Sequence, residues 1–417
     1  MTTLTITQAS CADDYDPNSM PVDKARAFIH TFLTPIAGVA RVPIRSALGR
    51  VLAMDIISPV NVPAHRNSAM DGWALRFADL GASDTTLTEV GASFAGKPYV
   101  GTLGNNQCVR IFTGGVVPPE CDTVIMQERA TASAKTITFA AGAKRGQNVR
   151  EAGEDLRQGA VALARGRIVR PAELGLMASL GIGEISVHRP LRVAYFSTGD
   201  ELVSIGNALA EGEIYDSNRY TLHGMLQRMG IEAIDMGVVR DDPALLEQAF
   251  RDAAAIADVV ITSGGVSVGE ADYVKTLLSK LGEVVFWKIA MKPGRPLAYG
   301  KIGNCHFFGL PGNPVSSFVT WLLAVSTVLR TMQGLPAALP TGMSVRADFD
   351  WGKPDKRREF LRVRFNAEGG LDLYPNQSSG VLTSAVWADG LLDNPPGQAI
   401  RRGDSVRFLP LSELVVR

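Results

Sequence analysis

A net charge is missing from this chain of 417 residues, in which 42 lysines and arginines stand against 42 aspartates and glutamates. Such a balance leaves no broad field to hold a nucleic-acid backbone, so any bound anion must be met by local groups. Cysteine is scarce. Cys11, Cys108, Cys121 and Cys305 lie far apart with no CxxC pair, which disfavours zinc and dithiol redox centres and predicts reduced, buried thiols. The five histidines include no HExxH. No GxGxxG opens a strand-to-helix turn, so nicotinamide redox chemistry is disfavoured. The stretch Gly91 to Lys97 fits GxxxxGK, but Pro98 stands where a nucleotide P-loop needs a hydroxyl on its metal. No apolar run approaches the about 18 residues of a membrane span, and the start MTTLTITQAS lacks the parts of an export signal. The sequence therefore predicts a cytoplasmic protein with no membrane or nucleic-acid partner.

What the chain has is length for several cores and a change of pattern along it. A helix is predicted at VDKARAFIHTFL. From Ser58 to about Arg150 short β-branched runs (TLTEV, CVRIF, DTVIMQE, KTITFA) alternate with Gly, Pro and Asn clusters, which predicts a small all-β unit. Pro171 opens a helical run closed by Gly181. From Leu191 strands and helices alternate: RVAYFST, a helix with Leu222, Met225, Leu226 and Met229 on one stripe, IEAIDMGVV, a helix capped by Asp242, then DVVIT and CHFFGL. That alternation predicts a parallel sheet with helices on both faces. After GLPAALPTG the chain returns to β character, and REFLRVRF alternates Leu361, Val363 and Phe365 with Arg362 and Arg364, predicting a strand with one wet face. The expected fold class is multidomain α/β: a linking unit (1–57 plus 151–190), an inserted β unit (58–150), a central parallel α/β unit (191–333) and a C-terminal β barrel (334–417).

Loops leaving the carboxyl ends of parallel strands border the ligand crevice. Four such loops here are unusually polar: STGDEL from Ser197, VRDDP from Val239, TSGGVSVGEAD from Thr262 and LPGNPVSS from Leu310. In the third, Gly264 and Gly265 permit conformations that aim successive N–H groups at one point, with Ser263 and Ser267 adding hydroxyls, a cradle for a phosphate. A tight turn with Asp272 helping to cap the next helix explains that stretch equally well when it is taken alone. The loops together favour the cradle. Glu201, Asp241 and Asp272 would project around the same crevice, and acids beside a phosphate site are how proteins hold Mg²⁺. Lys288, Lys292 and Arg295 in WKIAMKPGRPLAYG, stiffened by Pro293 and Pro296, fit an oxyanion pocket. In the β unit, NSAMDGWA offers Asp71 and FTGG offers Thr113. For both, the residues alone favour turn-making.

The ordered set NSAMDGWA, FTGG, STGDEL, IYDSNRY, VRDDP, SGGVSVGEADYVK, MKPGRP and GLPGNPVSS resembles the MoeA family of molybdopterin molybdenumtransferases, relatives of the gephyrin E-domain. The resemblance spans nearly the whole chain and is densest from Arg192 to Arg330. It implies an elongated homodimer of four-domain subunits, in which the β unit of one copy faces the α/β unit of the other. It implies insertion of molybdate into adenylylated molybdopterin with release of AMP, and transient contact with the molybdopterin adenylyltransferase and with cofactor-receiving enzymes. Carried over by motif, Asp71 and Thr113 belong to the cleft, Glu201, Asp241 and Asp272 surround Mg²⁺, and Lys288 and Lys292 lie near molybdate. Ser197, Thr198, Gly199, Ser263, Gly264, Gly265, Ser267, Pro311, Gly312 and Asn313 would grip the pterin phosphates. Pro293, Arg295, Arg362 and Ser379 would complete the oxyanion site, and Asp155 matches a further family acid. The chain departs from the family pattern at His65, Arg66, Trp73 and Arg295. Two other functions share parts of this pattern: adenylyl transfer to molybdopterin, and a non-catalytic scaffold of the gephyrin kind.

Overall fold

The structure, a computed structural model, describes residues 19–33, 35, 38–265, 277, 280–336, 339 and 341–414, with the backbone alone at 284–287. Cys11, Ser267 and Asp272 lie outside the described residues.

At the centre is a six-stranded sheet in the order Glu232–Val239, Arg192–Thr198, Val259–Ser263, Cys305–Leu310, Pro296–Ile302 and Glu283–Lys288. The first four strands run parallel, as the alternating pattern predicts. The last two add an antiparallel extension that the sequence reading did not separate out, because WKIAMKPGRPLAYG divides at its Pro–Gly turn into the ends of two strands.

Both sheet faces are covered, so the strands read as continuous apolar runs, and period-2 alternation sorts their side chains between two cores. Val193, Tyr195, Val259, Ile261 and Phe308 meet the helix Ser217–Arg228 through Leu222, Met225 and Leu226. Ala194, Phe196, Val260 and Phe307 meet the helix Pro243–Ile256 through Leu246, Phe250 and Ala253. Asp242 caps that second helix, accepting from the N–H groups of Ala244 and Leu245 at 2.9 Å.

The helix Val22–His30 places Val22, Ala25 and Ile29 in the first of these cores, although its sequence position groups it with the linking unit. A helix after the strand Cys305–Leu310 runs from Pro314 to Met332 and changes to π-helical pitch over Trp321–Val325. Its 19 residues have mean hydropathy 1.4, long and apolar enough to cross a membrane, contrary to the sequence expectation. However, 83% of it is buried within the fold, so packing against the sheet accounts for the apolar run.

Buried Tyr299 and His306 face each other across the antiparallel extension, Oη to Nδ1 at 3.0 Å. Burial, assisted by Lys301 and opposed by Asp258, pushes the His306 imidazole down to about 4. Between pH 6.5 and 4 the unfolded chain binds this proton and the native one does not, so stability falls as pH falls through that window, by up to about 3 kcal/mol. Urea unfolding of His306→Gln from pH 7 to pH 4 is expected to show a shallower acid limb than the parent; equal slopes would assign the loss to other groups.

Two further sheets flank this unit. One has the order Thr123–Met126, Gly72–Leu75, Gln107–Ile111, Thr85–Ser93, Thr136–Phe139 and Ala130–Ser133. Chain segments before and after it pair with each other, Val39–Pro43 with Glu184–His188 and Ile56–Ile57 with Val161–Leu163. These ribbons surround a small core of Leu52, Val169, Met177 and Val187.

The other, near the C-terminus, runs Met291–Lys292, Arg358–Phe365, Gly390–Asn394, Ser405–Pro410 and Met343–Arg346, with Leu371–Leu373 also on Arg358–Phe365. A bridge from Ala347 to Leu371 joins its two ends, so the sheet curls into a small barrel around Leu361, Val363, Leu392 and Phe408. Arg362, expected on the wet face of its strand, is only 1% exposed. The loop carrying Ser378 and the short helix Thr383–Trp387 fold over that face and receive its guanidinium.

Cys108, Cys121 and Cys305 are free and buried, and burial pushes each thiol up to about 12, which fits inert core thiols.

Candidate active site

Register sets the crevice. Ser197 lies level with Ser263, Ser263 with Leu310, and Thr198 with Val239. The loops beginning at Gly199, Arg240, Gly264 and Pro311 therefore leave the sheet at one edge, where ligands of open parallel sheets bind.

Gly264 has φ +91°, and its N–H donates to the Leu310 carbonyl at 3.2 Å. A Cβ there would lie 2.3 Å from the Thr198 carbonyl oxygen, so only glycine fits between the first and third loops. Gly265 follows at φ +67°, while the Gly264 N–H, spent on Leu310, is not one of the groups that the cradle expectation would aim at a ligand.

A buried polar network fixes these loops from beneath. Asp216, 2% exposed, accepts from Ser197 Oγ at 3.0 Å and from the Arg219 N–H and Nε at 3.2 and 3.1 Å. Asn218 Nδ2 donates to Ser263 Oγ and to the Gly312 carbonyl, each at 2.7 Å. The sequence reading quoted IYDSNRY yet gave Asp216 and Asn218 no task; a polar pair next to an apolar helix stripe was the available signal.

Acids gather on the first two loops. Thr198 Oγ1 donates to Asp241 Oδ1, and the Asp241 N–H donates to Asp200 Oδ1 at 3.4 Å. The Glu201 carboxylate folds over Gly199, where a Cβ would meet its Oε2 at 2.5 Å. Among the described residues no group of three His, Cys, Asp or Glu side chains is arranged to hold a metal. Pro311 and Asn313 flank Gly312, and Asn313 stands at the helix N-cap with no side-chain capping bond.

Met291–Lys292 adds as a parallel strand to Arg358–Glu359, tying the MKPGRP turn to the barrel. Lys292 Nζ lies 3.3 Å from Asp355 Oδ2 and 3.5 Å from Glu359 Oε1. Thr320 Oγ1 donates to the carbonyl of Gly294, next to Pro293, at 3.4 Å. The Arg295 carbonyl accepts from Ile289 N–H at 2.6 Å, and that of half-buried Lys288 from Met20 N–H at 2.9 Å.

Arg362 donates to Ser384 Oγ at 3.1 Å, to the Phe360 carbonyl at 3.2 Å and to the Ser378 carbonyl at 3.4 Å. All three acceptors are neutral, and burial pushes the guanidinium down to about 10. Next to Ser378, the Ser379 carbonyl accepts from Val315 N–H at 3.0 Å, so this loop rests on LPGNPVSS. The barrel residues Arg362 and Ser379 are thereby joined to the crevice.

Asp71 and Thr113 form a pair in the β unit. Asp71 Oδ1 accepts from both the N–H and Oγ1 of Thr113 at 2.7 Å, which holds its carboxyl below the usual range. Among the described residues no hydrogen bond or ion pair joins this pair to the four loops. Exposed Asp155 donates its N–H to the Val62 carbonyl at 3.0 Å. Trp73 is buried in the β-unit core, with its indole on Glu89 at 2.7 Å.

Three family models match the chain in succession: "MoeA N-terminal region (domain I and II)" over 20–181, "Probable molybdopterin binding domain" over 194–331, and "MoeA C-terminal region (domain IV)" over 344–411. A Haemophilus influenzae protein named molybdopterin molybdenumtransferase is 49% identical over 349 residues, 83% of this chain and 85% of its own. A Nostoc protein of the same name is 34% identical over 380 residues, 88% and 87% of the two chains. A molybdopterin biosynthesis MoeA protein from Pyrococcus horikoshii superposes with TM-score 0.82 at 27% identity, covering 94% of this chain and 99% of its own. These matches follow the order of the motifs along the chain, and the chain belongs to the MoeA family.

Proposed function

We propose that this chain is a molybdopterin molybdenumtransferase of molybdenum cofactor biosynthesis, inserting molybdate into adenylylated molybdopterin with release of AMP. The observation that supports it best is the meeting, at the LPGNPVSS loop, of the glycine turn at Gly264 with a buried guanidinium whose acceptors among the described residues are neutral. The cradle residues Ser197, Thr198, Gly199, Ser263, Gly264, Gly265, Ser267, Pro311, Gly312 and Asn313 grip the phosphates. Lys288, Lys292, Pro293, Arg295, Arg362 and Ser379 seat the oxyanion against the dithiolene, a positioning effect.

Hard oxygen donors on the first two loops suit Mg²⁺. Glu201 and Asp241 would hold it, with Asp272 outside the described residues as the third acid. When bound, the cation draws charge from the phosphoanhydride. Asn218 acts from beneath by keeping Ser263 and Gly312 in place. With two hydrogen bonds of about 1 kcal/mol each at stake, Asn218→Ala is expected to lower kcat/KM for the pterin substrate by about tenfold to thirtyfold. A fall in Tm with kcat/KM unchanged would make the residue purely structural.

The working molecule is proposed to be a cytoplasmic homodimer with the unit boundaries expected from the sequence, save that the helix Val22–His30 goes with the central unit whose core it shares. Among the described residues Asp71 and Thr113 make no hydrogen bond or ion pair to the four loops, and in this reading they serve the crevice of the second copy. Transient contacts with the adenylyltransferase and with cofactor-receiving enzymes belong to the same reading. AMP release from adenylylated molybdopterin must then depend on added molybdate and drop sharply in Asp241→Asn, whereas consumption of ATP would favour an adenylyltransferase. Mixing refolded Asp71→Asn and Asp241→Asn subunits should restore about a quarter of the parent activity, because half the dimers carry one intact site. No recovery would place all these residues in one subunit's site.

A further inference from the structure

Glu359 is fully buried, and its Oε2 accepts from Trp351 Nε1 at 2.8 Å and from Asn394 Nδ2 at 3.3 Å. Its Oε1, also buried, has no hydrogen-bond donor among the described residues and faces Lys292 Nζ at 3.5 Å. Asp355 is clamped by Arg357 through the backbone N–H, Nε and a terminal nitrogen at 2.8 to 2.9 Å, yet it also reaches Lys292 at 3.3 Å. Both carboxylates are thus fixed by other groups, and neither closes a short bond to the ammonium, whose side chain stays 42% exposed. The main chain sets the spacing, since Lys292 and Glu359 are register partners in the parallel pair. Lys292 and Arg357 together balance Asp355 and Glu359, so the Lys292 ammonium is already compensated and an arriving dianion must take it from its resident partners.

We propose that Asp355 and Glu359 are resident counter-anions of Lys292 that make oxyanion binding an exchange, holding the site's affinity low so that the anion can be passed on to the dithiolene. This inference rests on the proposed place of Lys292 in the oxyanion site. A fixed charge acts on a bound anion in proportion to the anion's own charge. Neutralising one carboxylate therefore strengthens binding of a tetrahedral dianion by the square of the factor gained by a monoanion of similar shape.

Calorimetric titration of the full-length protein at constant ionic strength, with molybdate and perrhenate as the two probes, tests this. Asp355→Asn and Glu359→Gln are each expected to bind molybdate about tenfold more tightly and perrhenate about threefold more tightly, with lower KM for molybdate and lower kcat. Molybdate affinity that stays the same or weakens in both variants, while Lys292→Gln weakens it, overturns the counter-anion role. Molybdate affinity unchanged in Lys292→Gln instead overturns the placement of Lys292. Asp355 sits in a loop and is 17% exposed, so Asp355→Asn carries the test if buried Glu359→Gln does not fold.

Discussion

Gly264→Ala is expected to lower kcat/KM for the pterin substrate by more than about a hundredfold, a loss of about 2.7 kcal/mol in transition-state binding. The added methyl would stand 2.3 Å from the Thr198 carbonyl oxygen. Thr198 cannot retreat easily: its residue pairs in the parallel ladder with Val239, and its hydroxyl is bonded to Asp241. The third loop must move instead, and with it the backbone at Gly265 and the Gly264 N–H bond to Leu310. Backbone strain at φ +91° adds about 1–3 kcal/mol to the cost of folding. Gly303→Ala separates the two effects. Gly303 also has positive φ, +61°, in a hairpin turn where an added methyl meets nothing within 4 Å. That variant should lose stability and keep its kinetics, whereas a Gly264→Ala protein with parent kinetics would remove the cradle from the mechanism.

Arg362→Met should abolish molybdate-dependent AMP release, by about a hundredfold to a thousandfold, while moving Tm by only a few degrees. Loss of a fully desolvated charged contact is worth about 2–5 kcal/mol. The stability effect is small because opposing terms nearly cancel. Methionine forfeits bonds to Ser384, Phe360 and Ser378. It also removes a cation that burial disfavours: the guanidinium is pushed down to about 10, at about 1.4 kcal/mol per unit from its ordinary 12.5. The sign follows from linkage. The folded state holds this proton less tightly than the unfolded state, so the penalty is fully present at neutral pH and fades only as pH rises from about 10 towards 12.5. Saturating molybdate should then raise the Tm of the parent, by mass action at about 2.7 kcal/mol for a hundredfold excess over Kd, and leave that of Arg362→Met unchanged. An active Arg362→Met would show the buried cation to be a packing element.

The glycine turn was legible in the sequence because its geometry is local. Gly264, Gly265 and Ser263 follow a β-branched run, and the capping role of Asp242 needs only its neighbours. The stripe Leu222, Met225 and Leu226 likewise gave the helix and its buried face together. What stayed hidden depends on distant chain segments. Arg362 was read as wet because alternation tells which residues share a face and not what covers it; the Ser378–Ser384 loop, many residues later, decides that. Asp216 and Asn218 gain a task only once the loops of Ser197, Ser263 and Gly312 converge. The resident carboxylates of Lys292 come from the barrel, through a pairing of Met291–Lys292 with Arg358–Glu359 that no spacing rule announces. Asp71 and Thr113, which the residues alone favoured as turn formers, do bond to each other, and their catalytic assignment rests on the family resemblance and awaits the subunit-mixing experiment.

Because the barrel closes only when Ala347 meets Leu371 and the strand Ser405–Pro410 is in place, a chain emerging from the ribosome completes its two ligand grips at different times. The glycine turn needs only the LPGNPVSS segment, while the surroundings of Arg362 wait for the strand Ser405–Pro410. A subunit truncated before Ser405 would thus keep the turn at Gly264 and lose the cover over Arg362, separating the proposed phosphate grip from the proposed oxyanion seat.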